Sequence, residues 1–444
     1  MTAMRRIVSC AVIALIAIGS IFAGGNEEAG AVSVRVAMEA GPMADAATAV
    51  AESFTAENPE IQVEVVPMPY TTFQTQMTNV MAAGSDEFDA FQVPILQLGN
   101  YVANDWILPL DDLIARYETD VDDFFDSYWD VATLGGNARA VNPAGDVWAL
   151  PFQGGAVLLV YRDDLVGTLG LTAPDSFAAL QANVAAMTEH GIAGIALAGA
   201  RSQNSHILWD LYTIAFGMGA PVPVVKEGDA YRVQMDVPAM REALTFYRDA
   251  VGNGQTPDGM REYRYSEKNT AIAQGIAGHT LQWMPAAYYD FENPDASAVA
   301  GQVGYAASPG TARGIIAPWN LVIAGNSDAP DATYRFLEYL SNSENNVRLA
   351  LEFAIGPTRA SAMADPALIA EFGTMAEAYA DAAASSQPLI AGAPDLPIWQ
   401  EILNEVNFAA YDAIFDGVPV GEALATMQAN VEGVLETQGF TVVR

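Results

Sequence analysis

The chain has 444 residues, of which 51% are hydrophobic and 16% are charged. This length is enough for more than one packed core, and the composition is too apolar for a disordered protein. Its 54 acidic residues outnumber its 19 basic residues and give a net charge of −35. Because so acidic a surface repels phosphate backbones, nucleic-acid binding is excluded as a function.

The N-terminus has the pattern of a secretory signal peptide. A basic head at residues 5–6 precedes an apolar run over residues 7–22, and small residues follow. The run is shorter than the ~20 residues that a membrane span needs. We therefore interpret residues 1–23 as a signal peptide and expect a periplasmic or secreted mature protein that is not membrane-embedded. Cys10 lies near the start of the run rather than at its end, so no lipobox and no lipid anchor are expected.

From Ser33 onward the pattern alternates between strand and helix. Runs with apolar or alternating residues predict strands, and apolar residues three or four apart predict helices. The predicted order is strand 34–38, helix 43–57, strand 61–65, helix 71–83 and strand 88–93. This order is typical of a mostly parallel α/β sheet, whose ligands bind beyond the carboxyl ends of the strands. Glu39 and Gln92 lie at such ends, although Glu39 has the equal alternative of being a solvated loop carboxylate.

The second part of the chain predicts a further strand and many helices. Glycine and proline on both sides of Phe152 and Gln153 indicate a crossover between two lobes. The later predicted elements are strand 156–161, helices 176–190, 207–217, 238–251 and 267–276, strands 278–283, 302–305 and 321–324, and helix 332–340. From residue 343 to the end the pattern is almost wholly helical. Two interwoven α/β lobes explain this order better than two separate domains.

Motifs of known catalytic chemistry do not occur in the sequence. There is no G-x-S-x-G, S-x-x-K or H-E-x-x-H motif and no P-loop. One cysteine and three histidines without a short spacing make a metal site improbable, so we expect no cofactor and no enzyme activity. Paired acids that a glycosidase could use, and one cluster that could bind ferric iron, remain as minor alternatives; they are Asp111-Asp112, Asp122-Asp123, Asp163-Asp164 and Tyr288-Tyr289-Asp290.

Three tryptophans stand beside turn residues. Trp283 precedes Met-Pro, Trp319 follows Ala-Pro, and Trp399 follows Leu-Pro-Ile. An exposed indole face stacks well on a pyranose ring, while neighbouring amides and carboxylates bind hydroxyl groups. The alternative for each tryptophan is ordinary core packing, and convergence of the three would favour a sugar site.

Several motifs, and the order in which they occur along the chain, resemble those of the extracellular solute-binding proteins of ABC importers. The resemblance is to the family-1 sugar-binding group, which includes maltose-binding protein. The segments that carry the resemblance are Trp106–Asp111, Val147–Phe152, Tyr161–Leu165 with Leu171–Pro174, Ala273–Gly278 closing on Trp283, and Ile355–Arg359. The resemblance implies a two-lobed periplasmic-binding-protein fold of the type II-like class, with a ligand cleft between hinged lobes. Lobe one would comprise residues 33–150 and 305–342, and lobe two residues 151–304 and 343–444.

The resemblance also implies which residues bind the ligand. They are, on lobe two, Trp283, Trp399, His206 and Trp209, and, on lobe one and the crossover, Gln92, Phe152, Gln153, Trp319 and Asn320. Ala317-Pro318 stands where the family often has two glycines, which leaves the orientation of Trp319 open.

The implied function is that of the binding component of an importer. A monomer would capture a sugar or oligosaccharide by hinge closure and deliver it to a membrane permease. The alternatives are a binder of a polyol, glycerol-phosphate or peptide and, more remotely, a secreted glycosidase. An anionic ligand would require Arg201 or Arg359 in the cleft.

Overall fold

A computed structural model describes residues 31–134, 145–202, 206–310 and 314–444, with Tyr70 and Thr71 described by their backbone alone. The segment interpreted as a signal peptide lies outside these residues. The described strands are β1 Val32–Glu39, β2 Ile61–Met68, β3 Ala90–Pro94, β4 Thr133–Leu134, β5 Asp146–Val147, β6 Leu150–Gln153, β7 Ala156–Arg162, β8 Val224–Glu227, β9 Ala230–Val233, β10 His279–Met284, β11 Val303–Ala307, β12 Ile315–Ile316, β13 Trp319–Ile323, β14 Gln387–Pro388 and β15 Thr441–Val443.

The described α-helices cover the faces of these strands. They are α1 Pro42–Glu57, α2 Tyr70–Ala82, α3 Ile95–Ala103, α4 Asp111–Tyr117, α5 Asp126–Ala132, α6 Asp163–Thr168, α7 Phe177–Glu189, α8 His206–Gly217, α9 Pro238–Gly252, α10 Tyr265–Ala273, α11 Tyr288–Glu292, α12 Pro330–Leu340, α13 Ser343–Phe353, α14 Ala360–Met363, α15 Pro366–Phe372, α16 Thr374–Ser385, α17 Trp399–Phe415 and α18 Val420–Thr437. None of the helices within the described ranges is both long and apolar enough to cross a membrane.

Lobe one is built on a five-stranded sheet with the order β2-β1-β3-β13-β6. Strands β1, β2 and β3 run parallel, as predicted, and β13 is antiparallel to β3 and β6. The helix α1 shows why the local sequence folds this way. Proline at its first position is preorganised for a helix, its buried stripe includes Val50 and Phe54, and Asn58 caps its end. Helices α1 and α12 cover one face of the sheet, and α2 and α3 cover the other.

Lobe two is built around β7, whose seven residues are all buried. This strand pairs antiparallel with β10 on one side and with β11 and β12 on the other, and β14 extends the sheet beside β12. A strand with both faces covered reads as one continuous apolar run, which is the pattern of β7 in the sequence. A smaller sheet of β8, β9 and β15 lies outside this path.

The predicted lobe boundaries need two corrections. Tyr305 pairs with Val160 in β7, so β11 belongs to the sheet of lobe two and the chain returns to lobe one only after Ile316. Beyond residue 342, Leu349 and Ile355 pack in the core of lobe one. The sequence could not place these boundaries, because strand pairing and helix packing between distant segments decide them.

Candidate functional site

Three chain segments cross between the lobes and are hydrogen-bonded to each other. The N–H of Gly154 donates to the carbonyl of Gly356 at 2.7 Å, and the N–H of Ala317 donates to the carbonyl of Gly155 at 3.0 Å. A Cβ on Gly356 would overlap the carbonyl oxygen of Gly154. Glycine is therefore required for the backbones to approach this closely. The crossings form one compact joint at the edge of both sheets.

Four strands of lobe one end or begin at this joint. Trp319, at the start of β13, lies opposite Pro94 at the end of β3 and opposite Gln153 at the end of β6. Asn320 pairs with Val93, and a register shift between Trp319 and Asn320 marks an irregularity in the pairing with β6. Strands β1 and β3 pair up to Ala37 and Phe91, and Glu39 follows two residues later at the same edge. The backbones of the predicted lobe-one residues thus lie close together where these strands end, and the side chain of Gln92 points to the α1 side of the sheet, toward Sδ of Met43.

The polar side chains at this edge have hydrogen-bonding atoms without partners among the described residues. These buried atoms are Oε2 of Glu39, Oε1 of Gln92, Oε1 of Gln153, and both Oδ1 and Nδ2 of Asn320. Buried polar atoms in proteins are almost always paired, so such a concentration calls for a ligand or water. Burial also raises the pKa of Glu39 to about 7. The free atoms are mainly acceptors, which suits a ligand rich in hydrogen-bond donors.

Lobe two contributes a pair of half-buried tryptophans beside the joint. The ring centroids of Trp209 and Trp283 are 5.5 Å apart, and the planes are inclined by 77°, an edge-to-face contact. A Cβ built on Gly155 would lie 3.3 Å from the ring of Trp283, so this indole lies directly against the crossing segment. Trp209 comes from α8 and Trp283 from β10. We call this pair the aromatic wall; through Trp283 it adjoins the same joint as the lobe-one edge.

His206 begins α8, one turn before Asp210. Burial, with a smaller contribution from the positive charges of Lys268 and Arg264, lowers the pKa of His206 to about 4. The imidazole is therefore neutral at physiological pH and can both donate and accept a hydrogen bond.

Two of the predicted aromatic residues lie in cores and have no open face. Trp399 is 0% exposed, and its indole N–H donates to the carbonyl of Ala393 at 2.8 Å. Phe152 is 1% exposed and packs in the core of lobe one. A fully buried ring cannot stack on a ligand, so we leave both out of the candidate site and correct their interpretation to core packing.

Two serines that the sequence did not point to lie beside β7, the strand that pairs with Trp283. Ser308 follows β11, whose last residue pairs with Leu158, while Trp283 pairs with the neighbouring Val157. The hydroxyls of Ser308 and Ser386 are buried without partners among the described residues, and both serines lie close to Gly314. A lone serine carries no sequence signal, so only the fold could bring these two together.

The arginines that an anionic ligand would need are engaged elsewhere. Arg359 is buried, donates to the carbonyls of Ser341 and Asp120 at 2.6 and 2.7 Å, and lies over the ring of Phe124. Arg201 pairs with an aspartate of α17 at 3.3 Å and lies over two aromatic rings of that helix. Neither guanidinium belongs to the candidate site.

The paired acids considered for catalysis have structural partners. Asp111 accepts a hydrogen bond from the backbone of Val147, Asp164 pairs with Arg162, and Asp123 binds Ser361. In the described part of the chain, no cluster of three or more His, Cys, Asp or Glu residues could hold a metal ion.

The lobes also touch away from the joint. The Cα of Gly99 in α3 lies so close to the backbone of residues 394–395 that a Cβ would be 2.9 Å from the carbonyl carbon of Asp395. Ile95, at the start of α3, packs in the same core cluster as Leu396 and Trp399. The two lobes are therefore in contact at α3 as well as at the joint.

Comparison with known proteins finds a family and many similar structures. The profile of the family described as bacterial extracellular solute-binding protein matches residues 40–347. The sugar-binding protein MalE of Xanthomonas citri matches with a TM-score of 0.78 and 22% identity, covering 92% of this chain and 98% of that one. Maltose-bound MalE3 of T. maritima matches with a TM-score of 0.75 and 21% identity, covering 91% and 100%.

A third similar structure holds a polyol. It is an ABC transporter solute-binding protein of Agrobacterium radiobacter K84 in complex with ribitol, with a TM-score of 0.74, 22% identity, and coverage of 91% of this chain and 99% of that one.

Proposed function

The chain belongs to the family of bacterial extracellular solute-binding proteins, and from this premise we propose that it captures a sugar or a related polyol between its lobes. It delivers this ligand, as a monomer in the periplasm or outside the cell, to the permease of an ABC importer. It breaks no bond and uses no cofactor.

The observation that carries this proposal is the juxtaposition of free polar atoms and an aromatic wall. Glu39, Gln92, Gln153 and Asn320 have buried polar atoms without partners among the described residues of lobe one, and Trp319 at the start of β13 is half-buried. Trp283 lies against the joint from lobe two, in edge-to-face contact with Trp209. Hydroxyl groups can satisfy the polar atoms while the C–H face of a pyranose packs on an indole. A ligand that contacts both lobes stabilises the closed form and shifts the open–closed equilibrium toward it.

The chemistry of the site favours an uncharged ligand over an anionic one. Most of its free atoms are acceptors, and Arg201 and Arg359 are engaged with carboxylates, carbonyls and rings. A phosphate or carboxylate would meet unpaired oxygens and a partly buried glutamate. The solved relatives bound to maltose and to ribitol support a ligand rich in hydroxyl groups.

The proposal is tested by titrating the protein with maltose, ribitol, mannitol and glycerol-3-phosphate while following melting temperature and tryptophan fluorescence. A ligand that binds only the native state raises the melting temperature by mass action. We expect a neutral sugar or polyol to change both signals, with no hydrolysis product after hours. Glycerol-phosphate as the one active compound, or release of a product, would contradict the proposal.

The Trp283→Ala variant tests the aromatic wall. We expect it to weaken binding more than tenfold, a loss of at least about 1.4 kcal/mol, because the ring contributes contact that hydroxyl groups cannot replace. Trp106→Phe is the control, since Trp106 packs against Tyr101 inside lobe one. Calorimetry that finds equal affinity in the folded Trp283→Ala protein would remove this residue from the site.

A further inference from the structure

Lys268 is one of two lysines in the chain and is only 5% exposed. From α10 its Nζ donates to Oδ1 of Asp210 at 2.8 Å and to the carbonyl of Leu281 at 2.6 Å. Asp210 is 1% exposed. The ammonium therefore ties α10 to α8 and to β10 at once.

Both oxygens of the Asp210 carboxylate are used. Oδ2 accepts the backbone N–H of Ala198 at 2.7 Å, and the hydroxyl of Tyr247 donates to the carbonyl of Ala198 at 2.5 Å. A buried ion pair gains little stability over an apolar pair of the same volume, because both charges must leave water. A fully satisfied network of this kind is better suited to holding elements in a defined geometry.

The elements that Lys268 joins are the two that carry the aromatic wall. Asp210 directly follows Trp209 on α8. Leu281 precedes Trp283 by two residues on β10, so the two side chains point to the same face of the strand. Lys268 is thus bonded to the side chain of the residue after Trp209 and to the backbone two residues before Trp283, on the two elements whose indoles meet edge to face.

We propose that Lys268 and Asp210 are positioning residues that set the mutual orientation of Trp209 and Trp283 and thereby the shape of the aromatic wall. The part of this inference that concerns ligand affinity rests on the proposed function. The part that concerns the geometry of the two indoles does not, since it can be measured without a ligand.

The test uses the circular-dichroism exciton couplet of the tryptophan pair. Two indoles with centroids 5.5 Å apart couple strongly, and the sign and size of the couplet depend on their relative orientation. Trp209→Phe and Trp283→Phe identify the signal, because each should abolish it. The double variant Lys268→Met/Asp210→Leu replaces the ion pair by apolar side chains without leaving a buried charge unpaired.

We expect the double variant to fold, to keep its helical circular dichroism, and to lose at least half of the couplet amplitude. We also expect its affinity for maltose to fall about tenfold. Lys226→Met/Asp395→Leu is the matched control, because it removes the ion pair of the other lysine, whose Nζ lies 2.5 Å from Asp395 on a different part of lobe two. The control should leave the couplet unchanged.

An unchanged couplet in the folded Lys268→Met/Asp210→Leu protein would overturn the proposal. Should that protein not fold, Lys268→Met/Asp210→Asn provides the decision, since it keeps the shape of the Asp210 side chain and also leaves no buried charge unpaired; an unchanged couplet there has the same meaning. If the wild-type protein bound no sugar or polyol while the double variant still changed the couplet, that result would support the positioning role and contradict the proposed function.

Discussion

Glu39 shows how burial changes the acid–base behaviour of one side chain at the candidate site. It ends β1 with one carboxylate oxygen that is buried and has no hydrogen-bond partner among the described residues. Burial raises its pKa from 4.5 to about 7, because the charged form loses water without gaining a partner. The folded protein therefore binds a proton at Glu39 in a pH range where the unfolded chain has released it.

This difference in proton binding makes the free energy of unfolding depend on pH. The stability linked to Glu39 is present below about pH 4.5 and is lost as the pH rises through 7. Full linkage would give about 3 kcal/mol, and we expect about 1–2 kcal/mol because the side chain is only partly buried. Glu39→Gln should thus stabilise the ligand-free protein at pH 8 and leave it unchanged at pH 4, as measured by urea unfolding.

The control for this prediction is Glu52→Gln, which removes one negative charge from an exposed position on α1. If both variants gained the same stability at pH 8, the effect would come from net charge. Such a result would contradict a destabilising effect of burial at Glu39.

The tryptophans show where residue-level prediction ends. Trp283 and Trp399 have similar surroundings in the sequence, each next to a proline-containing turn. In the fold, Trp283 lies half-buried against Gly155, while Trp399 finds a carbonyl partner for its indole N–H and is enclosed. The difference arises from contacts with segments far away in the chain, so the local sequence does not predict whether either tryptophan is buried.

At the scale of elements, periodicity predicted the framework well. The first three strands and two helices of lobe one, and α8, α9 and β7 of lobe two, begin and end within a few residues of their predicted limits. Strands β12 and β14, of two residues each, were not foreseen. Such short strands exist only through pairing with distant partners, and they leave no periodic pattern.

The close backbone contacts at the joint between the lobes predict that a methyl group on Gly356 is destabilising. Gly356→Ala would drive a methyl group into the carbonyl oxygen of Gly154, and backbone atoms cannot move aside as a side chain can. We expect a loss of about 1–3 kcal/mol in the free energy of unfolding, together with weaker ligand binding.

Gly433→Ala is the matched control for the joint, since nothing lies within 4 Å of a Cβ at this position in α18. It should be neutral or stabilising by up to about 1 kcal/mol, because alanine favours a helix. Similar melting temperatures for the two variants would show that the crossing segments tolerate a methyl group.

At the scale of the whole molecule, the contact between α3 and residues 394–395 bears on closure. Gly99→Leu places a side chain where the backbone of Asp395 lies in the structure. We expect the population of the open form to increase. Small-angle scattering should then show a larger radius of gyration, and ligand binding should be about tenfold weaker.

Gly167→Leu is the control for closure, because a Cβ at this exposed position of α6 meets nothing within 4 Å. If Gly99→Leu had the same radius of gyration as the wild type and bound ligand equally well, the contact between α3 and residues 394–395 would not influence the equilibrium between open and closed forms.

The net charge of −35 makes a second prediction for the whole molecule. Like charges repel most in the compact state, and salt screens them over a Debye length that falls from about 30 Å at 0.01 M to about 3 Å at 1 M. We expect the melting temperature to rise over this range in sodium chloride and in potassium chloride alike. A melting temperature that stays constant or falls would contradict a dominant role of charge repulsion.

The sequence by itself determined the class of the fold, the alternation of strands and helices, and the family resemblance, because these depend on local periodicity and on the order of short motifs. It also indicated part of the polar edge of lobe one, since Glu39 and Gln92 follow or end predicted strands, while Gln153 and Asn320 were implied by the family resemblance. Only the tertiary structure decided the lobe boundaries, the enclosure of Phe152 and Trp399, and the contact of Lys268 with both elements of the aromatic wall. The physical reason is that burial and pairing are properties of segments brought together from distant parts of the chain.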